Sequence, residues 1–337
     1  MKPSDTRPLV AKTRGDVVEM IHRGTYVVVD TDGEVVHAHG SPDMPSYLRS
    51  SAKPFQLTPT IERGAHTAYG LTQRELSVMS ASHSGEPVHL DTVRSILRKA
   101  DIPETALKCG PHLPGDEQSA RVLIRRRMVA QTIHSNCSGK HTGMLVGAKV
   151  AGEPLDTYLE YDHPLQQQIL RTVSEMSDTP VEDIAVSRDG CGAPIFAIPV
   201  KRIALMFARL GSPSGLEGAR AAALATIRDG IMAAPYLMSG KGRIEVALME
   251  GAPGKIVLKS GALGVFGMGL PELGLGVGLK IEDGDGVTRN AAVIQSLRSV
   301  AEDLLGSDFL DSLWQRFCPA VYNLRGELVG ETKWIGD

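Results

Sequence analysis

Apolar and polar positions alternate with two different periods along this chain. Near the N-terminus, Tyr26 to Val29 and Val35 to Ala38 flank Asp30-Thr31-Asp32-Gly33-Glu34, which predicts a β-hairpin. The longer helical period then takes over. Thr72 to Ser82 predicts a helix with Thr72 as its cap, and His89 to Ala100 another with Val93, Ile96 and Leu97 on one stripe. A small-residue helix runs to about Ala151, and its composition predicts burial against another backbone. Pro164 to Met176, Leu205 to Leu210 and Leu216 to Ala233 also read as helices. Between them, Asp189-Gly190-Cys191-Gly192-Ala193-Pro194 is a tight turn leading into the apolar run Ile195 to Val200. The last third returns to strands. Lys255 to Leu258 continues through Lys259-Ser260-Gly261, and Gly264 to Met268 and Leu275 to Ile281 form a glycine-rich hairpin. Thr288 to Leu305 is an amphipathic helix, and Ala320 to Tyr322 with Glu327 to Val329 repeats the hairpin pattern.

Strands at both ends around a helical middle predict an α/β (α+β) fold: one antiparallel sheet with a helical subregion. The expected division is a loosely ordered stretch over residues 1–15 and a single integrated domain over 16–337. Its sheet is drawn from 24–40 and 255–330, its helical middle from 50–235.

The chain has 337 residues, enough for a substantial core, and a net charge of −3. Its densest basic cluster, Arg125-Arg126-Arg127, is too short to argue for nucleic acid. No apolar signal core opens the sequence and no run approaches the ~20 apolar residues that span a bilayer. The expectation is a cytoplasmic protein with neither nucleic-acid nor membrane partners. Cys109, Cys137, Cys191 and Cys318 are too few for a disulfide framework and read as free thiols, core residues or metal ligands.

The candidate chemistry begins at Arg49-Ser50-Ser51-Ala52-Lys53-Pro54. On a helix, residues three apart share a face, so Lys53 can stand beside Ser50. A serine hydroxyl becomes nucleophilic when a base takes its proton, and a lysine serves if its pKa is lowered. Lys259-Ser260-Gly261 supplies the late-strand K-[ST]-G that accompanies S-x-x-K in acyl-transfer enzymes. Ser50 is the first candidate nucleophile. Ser82, in Ser80-Ala81-Ser82-His83-Ser84-Gly85-Glu86, is the second, although that run also reads as ordinary helix-end chemistry. Its neighbour His83 is not expected to meet it, because adjacent residues rarely face each other. Cys137 and Lys140, with Cys191 in its glycine-flanked turn, could hold zinc or could be buried turn residues.

Together these segments resemble the rhizobial-type L-asparaginase II family. The resemblance rests on the Ser50, Ser82 and Cys191 motifs above, on Cys109-Gly110-Pro111-His112, and on Asn136-Cys137-Ser138-Gly139-Lys140-His141-Thr142-Gly143-Met144. It runs from about Val27 to Val329. The resemblance implies a fold related to serine β-lactamases and glutaminases, a homodimer, and hydrolysis of L-asparagine to L-aspartate and ammonia. It implies that Ser50 pairs with Lys53 and Ser82 with Lys259. It further implies a Zn²⁺ site at Cys137, Lys140 and Cys191, with Asp189 and His141 nearby. Substrate asparagine carries both charges, so Arg49 is the expected partner of its carboxylate and Asp189 of its ammonium. Two other readings fit the same residues: a β-lactamase-like or other amide or ester hydrolase, and a catalytically silent zinc-binding protein.

Overall fold

The computed structural model describes residues 1–216 and 218–336; Glu217 and Asp337 lie outside them. Its strands are β1 (Arg7–Arg14), β2 (Val17–Asp30), β3 (Val35–His39), β4 (Pro45–Tyr47), β5 (Ala185–Arg188), β6 (Pro194–Pro199), β7 (Val257–Ser260), β8 (Val265–Leu270), β9 (Leu275–Ile281), β10 (Val321–Tyr322), β11 (Leu328–Gly330) and β12 (Thr332–Trp334). The helices before residue 151 are α1 (Lys53–Glu62), α2 (Ala65–Ala68), α3 (Gln73–Met79), α4 (Pro87–Lys99), α5 (Glu117–Arg125) and α6 (Ser138–Val150). Those after it are α7 (Pro164–Ser177), α8 (Val200–Gly211), α9 (Gly218–Ala233), α10 (Tyr236–Ser239), α11 (Ile244–Gly251), α12 (Gly286–Leu305) and α13 (Ser307–Phe317).

This is the expected α/β fold. The main sheet runs β12-β1-β2-β9-β8-β7, with β3 also paired to β2, and every pairing is antiparallel. Long β2 joins the two ends of the chain. Its first half pairs with β1, while Gly24 to Asp30 pair with Ile281 to Leu275 of β9. The period of two is visible in its burial. Val27 and Val29 face Val200, Ala204 and Leu205 of α8, while Tyr26 and Val28 join the large core on the opposite face.

The glycines of β8 and β9 explain how α8 comes so close. A Cβ on Gly276 would stand 2.1 Å from the carbonyl oxygen of Ala204, and one on Gly269 would stand 2.3 Å from that of Phe207. On Gly267 it would stand 2.0 Å from the Phe207 ring. The glycines that weaken a strand by propensity therefore create the groove in which α8 lies. Helix α6 uses the same device: a Cβ on Gly139 would be 2.0 Å from the Val78 carbonyl oxygen, and on Gly147 2.2 Å from Thr60 Oγ1. Every residue of α6 from Ser138 to Ala148 is buried, as its small residues predict.

Several expectations change. Residues 7–14, expected to be loosely ordered, form β1 and pair on both sides, with β2 and β12. Thr72 caps its helix, with Glu75 completing the capping box, but α3 stops at Met79 and the chain then leaves the helix. The stop frees the Ser82 N–H to pair with the Met238 carbonyl at 3.0 Å. The apolar run after Cys191 is β6, centre of a separate β4-β6-β5 sheet. The last hairpin, β10 with β11, forms its own two-stranded sheet against the end of β1, and the main sheet takes β12 instead. Among the described residues, no helix is long and apolar enough to cross a membrane.

The close approach of α8 gives a test. Gly276→Ala drives a Cβ into a backbone carbonyl that cannot yield and should cost about 3 kcal/mol or more. Gly286→Ala, at an open helix start with nothing within 4 Å, should be neutral or stabilise by under about 1 kcal/mol. Thermal unfolding of both variants reads the difference. Equal Tm values would remove the packing argument.

Candidate active site

The site lies where α1, α6, β7 and the segment after α3 converge. Lys53 opens α1 with Pro54 beside it in the first turn, where proline costs no hydrogen bond. Its side chain is buried, and Nζ donates to the Ala81 carbonyl at 2.6 Å and to Ser82 Oγ at 2.9 Å. This corrects the expected pairing of Lys53 with Ser50. Ser50 sits in a 3₁₀ turn over Arg49–Ala52, and its carbonyl accepts the Lys53 N–H, so helix geometry binds the two through their backbones. The Lys53 amine instead crosses to the segment after α3. The second expected pairing differs as well: Lys259 Nζ donates to the Ser260 carbonyl at 2.6 Å. His83 does not meet Ser82; its Nε2 hydrogen-bonds Ser138 Oγ at 2.9 Å while its Nδ1 accepts the Gly85 N–H.

Lys53, Lys140 and Lys259 are all buried, and their charges cannot all be sustained out of water. Burial pushes the Lys53 amine down, aided by cationic Lys140 and opposed by the Cys137 and Cys191 thiols. Burial, and then the Lys53 charge, hold the Lys259 amine well below the usual lysine range. Lys140 goes the other way. Burial opposes its ammonium, but Cys191 and Cys137 outweigh it and raise the pKa. Its Nζ donates to Cys191 Sγ at 2.9 Å. Cys137 falls well below the ordinary thiol range through the hydrogen bond from Cys191, against the cost of burial and with help from Lys53 and Lys140. The surroundings therefore favour the thiolate form of Cys137 and the ammonium form of Lys140.

Arg49 and Asp189 meet each other, Nη2 to Oδ1 at 2.9 Å. Arg49 adopts a left-handed φ of 50°, costly for a residue with a side chain, and its buried Nε has no hydrogen-bond partner. Strain of this kind gathers where a side chain is held for a ligand. Asp189 is placed by the turn expected from the sequence: its N–H donates to the Ala193 carbonyl and its carbonyl accepts the Gly192 N–H, with Gly192 at a φ of 85°.

The donors of a metal site come together here as well. Cys137, Lys140 and Cys191 converge, and buried His141 Nε2, without a hydrogen-bond partner, borders Cys191. Two thiols and an amine are a chemically reasonable set for zinc, so the residues present fit the ion. Burial, and then the Lys140 charge, push His141 down to about 4, so its ring is neutral at ordinary pH. Its Nδ1 hydrogen-bonds the Tyr158 hydroxyl at 2.7 Å. Among the described residues, no group of three or more His, Cys, Asp or Glu is arranged for a metal; this set needs its lysine.

Sequence reasoning missed Glu245. It lies on α11, buried, with neither carboxylate oxygen in a hydrogen bond of normal geometry. Burial raises its pKa, yet Arg289, Ser260 and Lys259 outweigh this and keep it below the usual carboxylate range. The only signal was an acid inside the apolar run Ile244 to Met249. The ring stack of His83, His89 and Tyr236, with centroids 5.2 and 6.0 Å apart, left no signal at all.

The chain matches the L-asparaginase II family over residues 10–334, nearly its whole length, and belongs to that family. Among solved structures it is similar to native Mglu, with 14% identity over 82% of this chain and 64% of that one, at a TM-score of 0.46. It therefore spans less than two thirds of Mglu. It is also similar to a beta-lactamase from Mycobacterium bovis, with 14% identity over 87% of this chain and 94% of that one, at a TM-score of 0.42. A Bacillus glutaminase gives 11% identity over 82% and 91%, at 0.36. No curated protein matches the sequence.

Glu245 makes a prediction with a definite sign. A nearby carboxylate favours the ammonium form of Lys259, so Glu245→Gln removes a negative charge that raises its pKa. Lys259 should then lose its proton at lower pH, which nitrogen NMR of the lysine side chain reads directly. An unmoved titration would show that Glu245 does not govern Lys259.

Proposed function

We propose that this protein is an L-asparaginase that works by acyl transfer, with Ser82 as nucleophile and Lys53 as its base. The observation that carries the reading is the contact of the buried Lys53 Nζ with half-buried Ser82 Oγ at 2.9 Å. As a neutral amine, Lys53 keeps an N–H for the Ala81 carbonyl and a lone pair for the serine proton. Ser82 Oγ attacks the side-chain amide carbon of asparagine, and Lys53 takes its proton. Collapse of the adduct breaks the C–N bond, and ammonia leaves with that proton. Water then hydrolyses the ester and the serine recovers its hydrogen. The Ser82 N–H is committed to Met238, so the oxyanion is stabilised by other donors.

Lys259 serves in this reading as the second amine of the network. Charge on one of two coupled lysines keeps the other neutral, so protons can be held and returned without both ionising. Arg49 and Asp189 present a cation and an anion side by side. A substrate carrying an α-carboxylate and an α-ammonium matches that pair, each group replacing the opposite partner. His141, neutral and fixed by Tyr158, completes the polar wall.

Zinc belongs to the same proposal, held by Cys137, Lys140 and Cys191. Bound there, it would supply a fixed positive charge near the substrate's polar end. The protein's own part is to deliver a thiolate at Cys137 and to place Asp189 two residues from Cys191. Homodimer formation and a cytoplasmic location are likewise proposed. The exposed Val17, Val18, Met20 and Ile21 give a dimer apolar surface to cover, and sedimentation equilibrium would show it.

Ammonia release from asparagine and glutamine, alongside ring opening of a β-lactam followed by its absorbance, tests the reading as a whole. Asparagine should be the substrate; turnover of the β-lactam alone would replace the asparaginase reading with a β-lactamase-like one. Ser82→Ala should lower kcat by several orders of magnitude in a folded enzyme. Ser50→Ala should cost less, because the Lys53 amine donates to Ala81 and Ser82. The reverse ranking would return the nucleophile to Ser50.

Metal removal should mainly raise KM, with a smaller loss in kcat, and Cys137→Ala and Cys191→Ala should behave like the stripped enzyme. Elemental analysis should find about one zinc per chain, with occupancy falling in acid as protons compete for the thiolates and the amine. Full activity in strong chelator, without metal, would make these residues structural.

A further inference from the structure

Ser82 lines a cavity of about 420 Å³ whose walls also include Asn136 and Arg243. The polar groups of this cavity divide into two kinds. Its three carboxylates are already engaged within the chain. Glu86 accepts from the Ser84 and Tyr236 hydroxyls at 2.7 and 2.6 Å, Asp116 accepts the Ser119 N–H at 2.7 Å, and Glu117 pairs with Arg121. Lys241 has Asp116 as its counter-charge. Two exposed donor side chains are left over. Among the described residues, no carboxylate pairs with Arg243, and no hydrogen bond engages its guanidinium or the Asn136 side-chain amide. A space with free donors and occupied acceptors suits an oxygen that carries negative charge.

The backbone holds both donors in place. The Asn136 N–H donates to His112 Nε2 at 2.9 Å, and the Asn136 carbonyl accepts the His83 N–H at 3.2 Å, which ties it to the residue after Ser82. Arg243 follows Gly240-Lys241-Gly242 and caps the start of α11. A Cβ on Gly240 would stand 2.1 Å from Ser84 Oγ, and the Lys241 N–H donates to Glu86 at 3.2 Å, so this loop lies against the segment that carries Ser82. Arg243 is also within electrostatic reach of the second amine. Burial, then the charge of Lys53, and after it that of Arg243 hold Lys259 down, against Glu245 and Cys137.

Acyl transfer at Ser82 places charge close to Oγ however the rest of the substrate lies. When Oγ bonds to the amide carbon, the C=O electron pair moves onto the carbonyl oxygen. The pair returns as the C–N bond breaks and ammonia leaves with the serine proton. Water then adds to the ester, and the pair moves out to the same oxygen and back. The Oγ–carbon bond breaks and the serine recovers its hydrogen. That oxygen stays two bonds from Oγ until release and ends in the new β-carboxylate of aspartate. We propose that Arg243 and the Asn136 side-chain amide are the donors that hold this oxygen, in both adducts and in the product. The proposal rests on the asparaginase reading above. It names donors for an oxyanion that the Ser82 N–H, committed to Met238, does not serve.

The test measures kcat, KM and inhibition by L-aspartate for the full-length enzyme and for its Arg243→Gln, Arg243→Lys and Asn136→Ala variants. Both side chains are exposed, and an unchanged Tm would show that the variants fold. Arg243→Gln and Asn136→Ala should each lower kcat for asparagine about hundredfold and leave KM within about threefold, because the oxygen is charged only in the adducts. Arg243→Gln should also weaken inhibition by aspartate about tenfold. Arg243→Lys keeps a cation without the planar fork, so it should recover most of the aspartate inhibition and about a tenth of the lost kcat or less. A raised KM with kcat unchanged would make Arg243 an anchor for the α-carboxylate and overturn the proposal. Retention of kcat within about threefold in either folded variant overturns it as well. If the wild type releases no ammonia from asparagine, the asparaginase reading falls and this one falls with it. An active wild type with unimpaired variants sinks this proposal alone.

Discussion

A lysine amine removed from water beside a serine hydroxyl is the contact on which the rest of this site depends. Solvent would keep Lys53 protonated and useless as a base; burial against Ala81 and Ser82 makes the neutral form accessible. Burial has a consequence for the neighbours. Lys140 and Lys259 share the same low-dielectric region, and an uncompensated ammonium there costs several kcal/mol. The thiols of Cys137 and Cys191, with the carboxylate of Glu245, are the groups that offset it. The proposed catalytic pair, the proposed metal donors and the missed glutamate are thus parts of one charge balance.

That balance needs the helices and the sheet to approach more closely than ordinary side chains allow. Gly139 brings the start of α6, with Lys140, against the end of α3, and so sets Cys137 and Lys140 near the segment that carries Ser82. The glycines of β8 and β9 draw in α8, seating the strand pair that holds Lys259 in β7. Each such glycine weakens its own element by intrinsic propensity. Tertiary packing repays the loss, which is why the hairpin of β8 and β9 looked weak by composition yet lies at the centre of the sheet.

Local chemistry made much of this protein legible in its sequence. The hairpin around Gly33, the Thr72 cap, the turn at Gly192 and the buried small-residue helix α6 follow from interactions between residues a few positions apart, and such interactions are written in order along the chain. The motif residues Ser50, Lys53, Ser82, Cys137, Lys140, Asp189 and Cys191 could be picked out for the same reason: each sits in a short, chemically unusual segment. What each of them touches was another matter. The Lys53–Ser82 contact spans 29 residues and the Lys140–Cys191 contact 51, so both depend on how α1, α3 and α6 stack. The spacing of Ser50 and Lys53 offered a nearer partner, and a flexible four-carbon side chain was free to choose the farther one. Only the assembled fold also decided that the N-terminal residues gain a strand on each side, because β12 arrives from the other end of the chain. The sequence by itself determined which groups can react and where the chain must turn. The tertiary structure decided which of those groups meet and which amines lose their charge, because desolvation and long-range contact exist only once the core has closed.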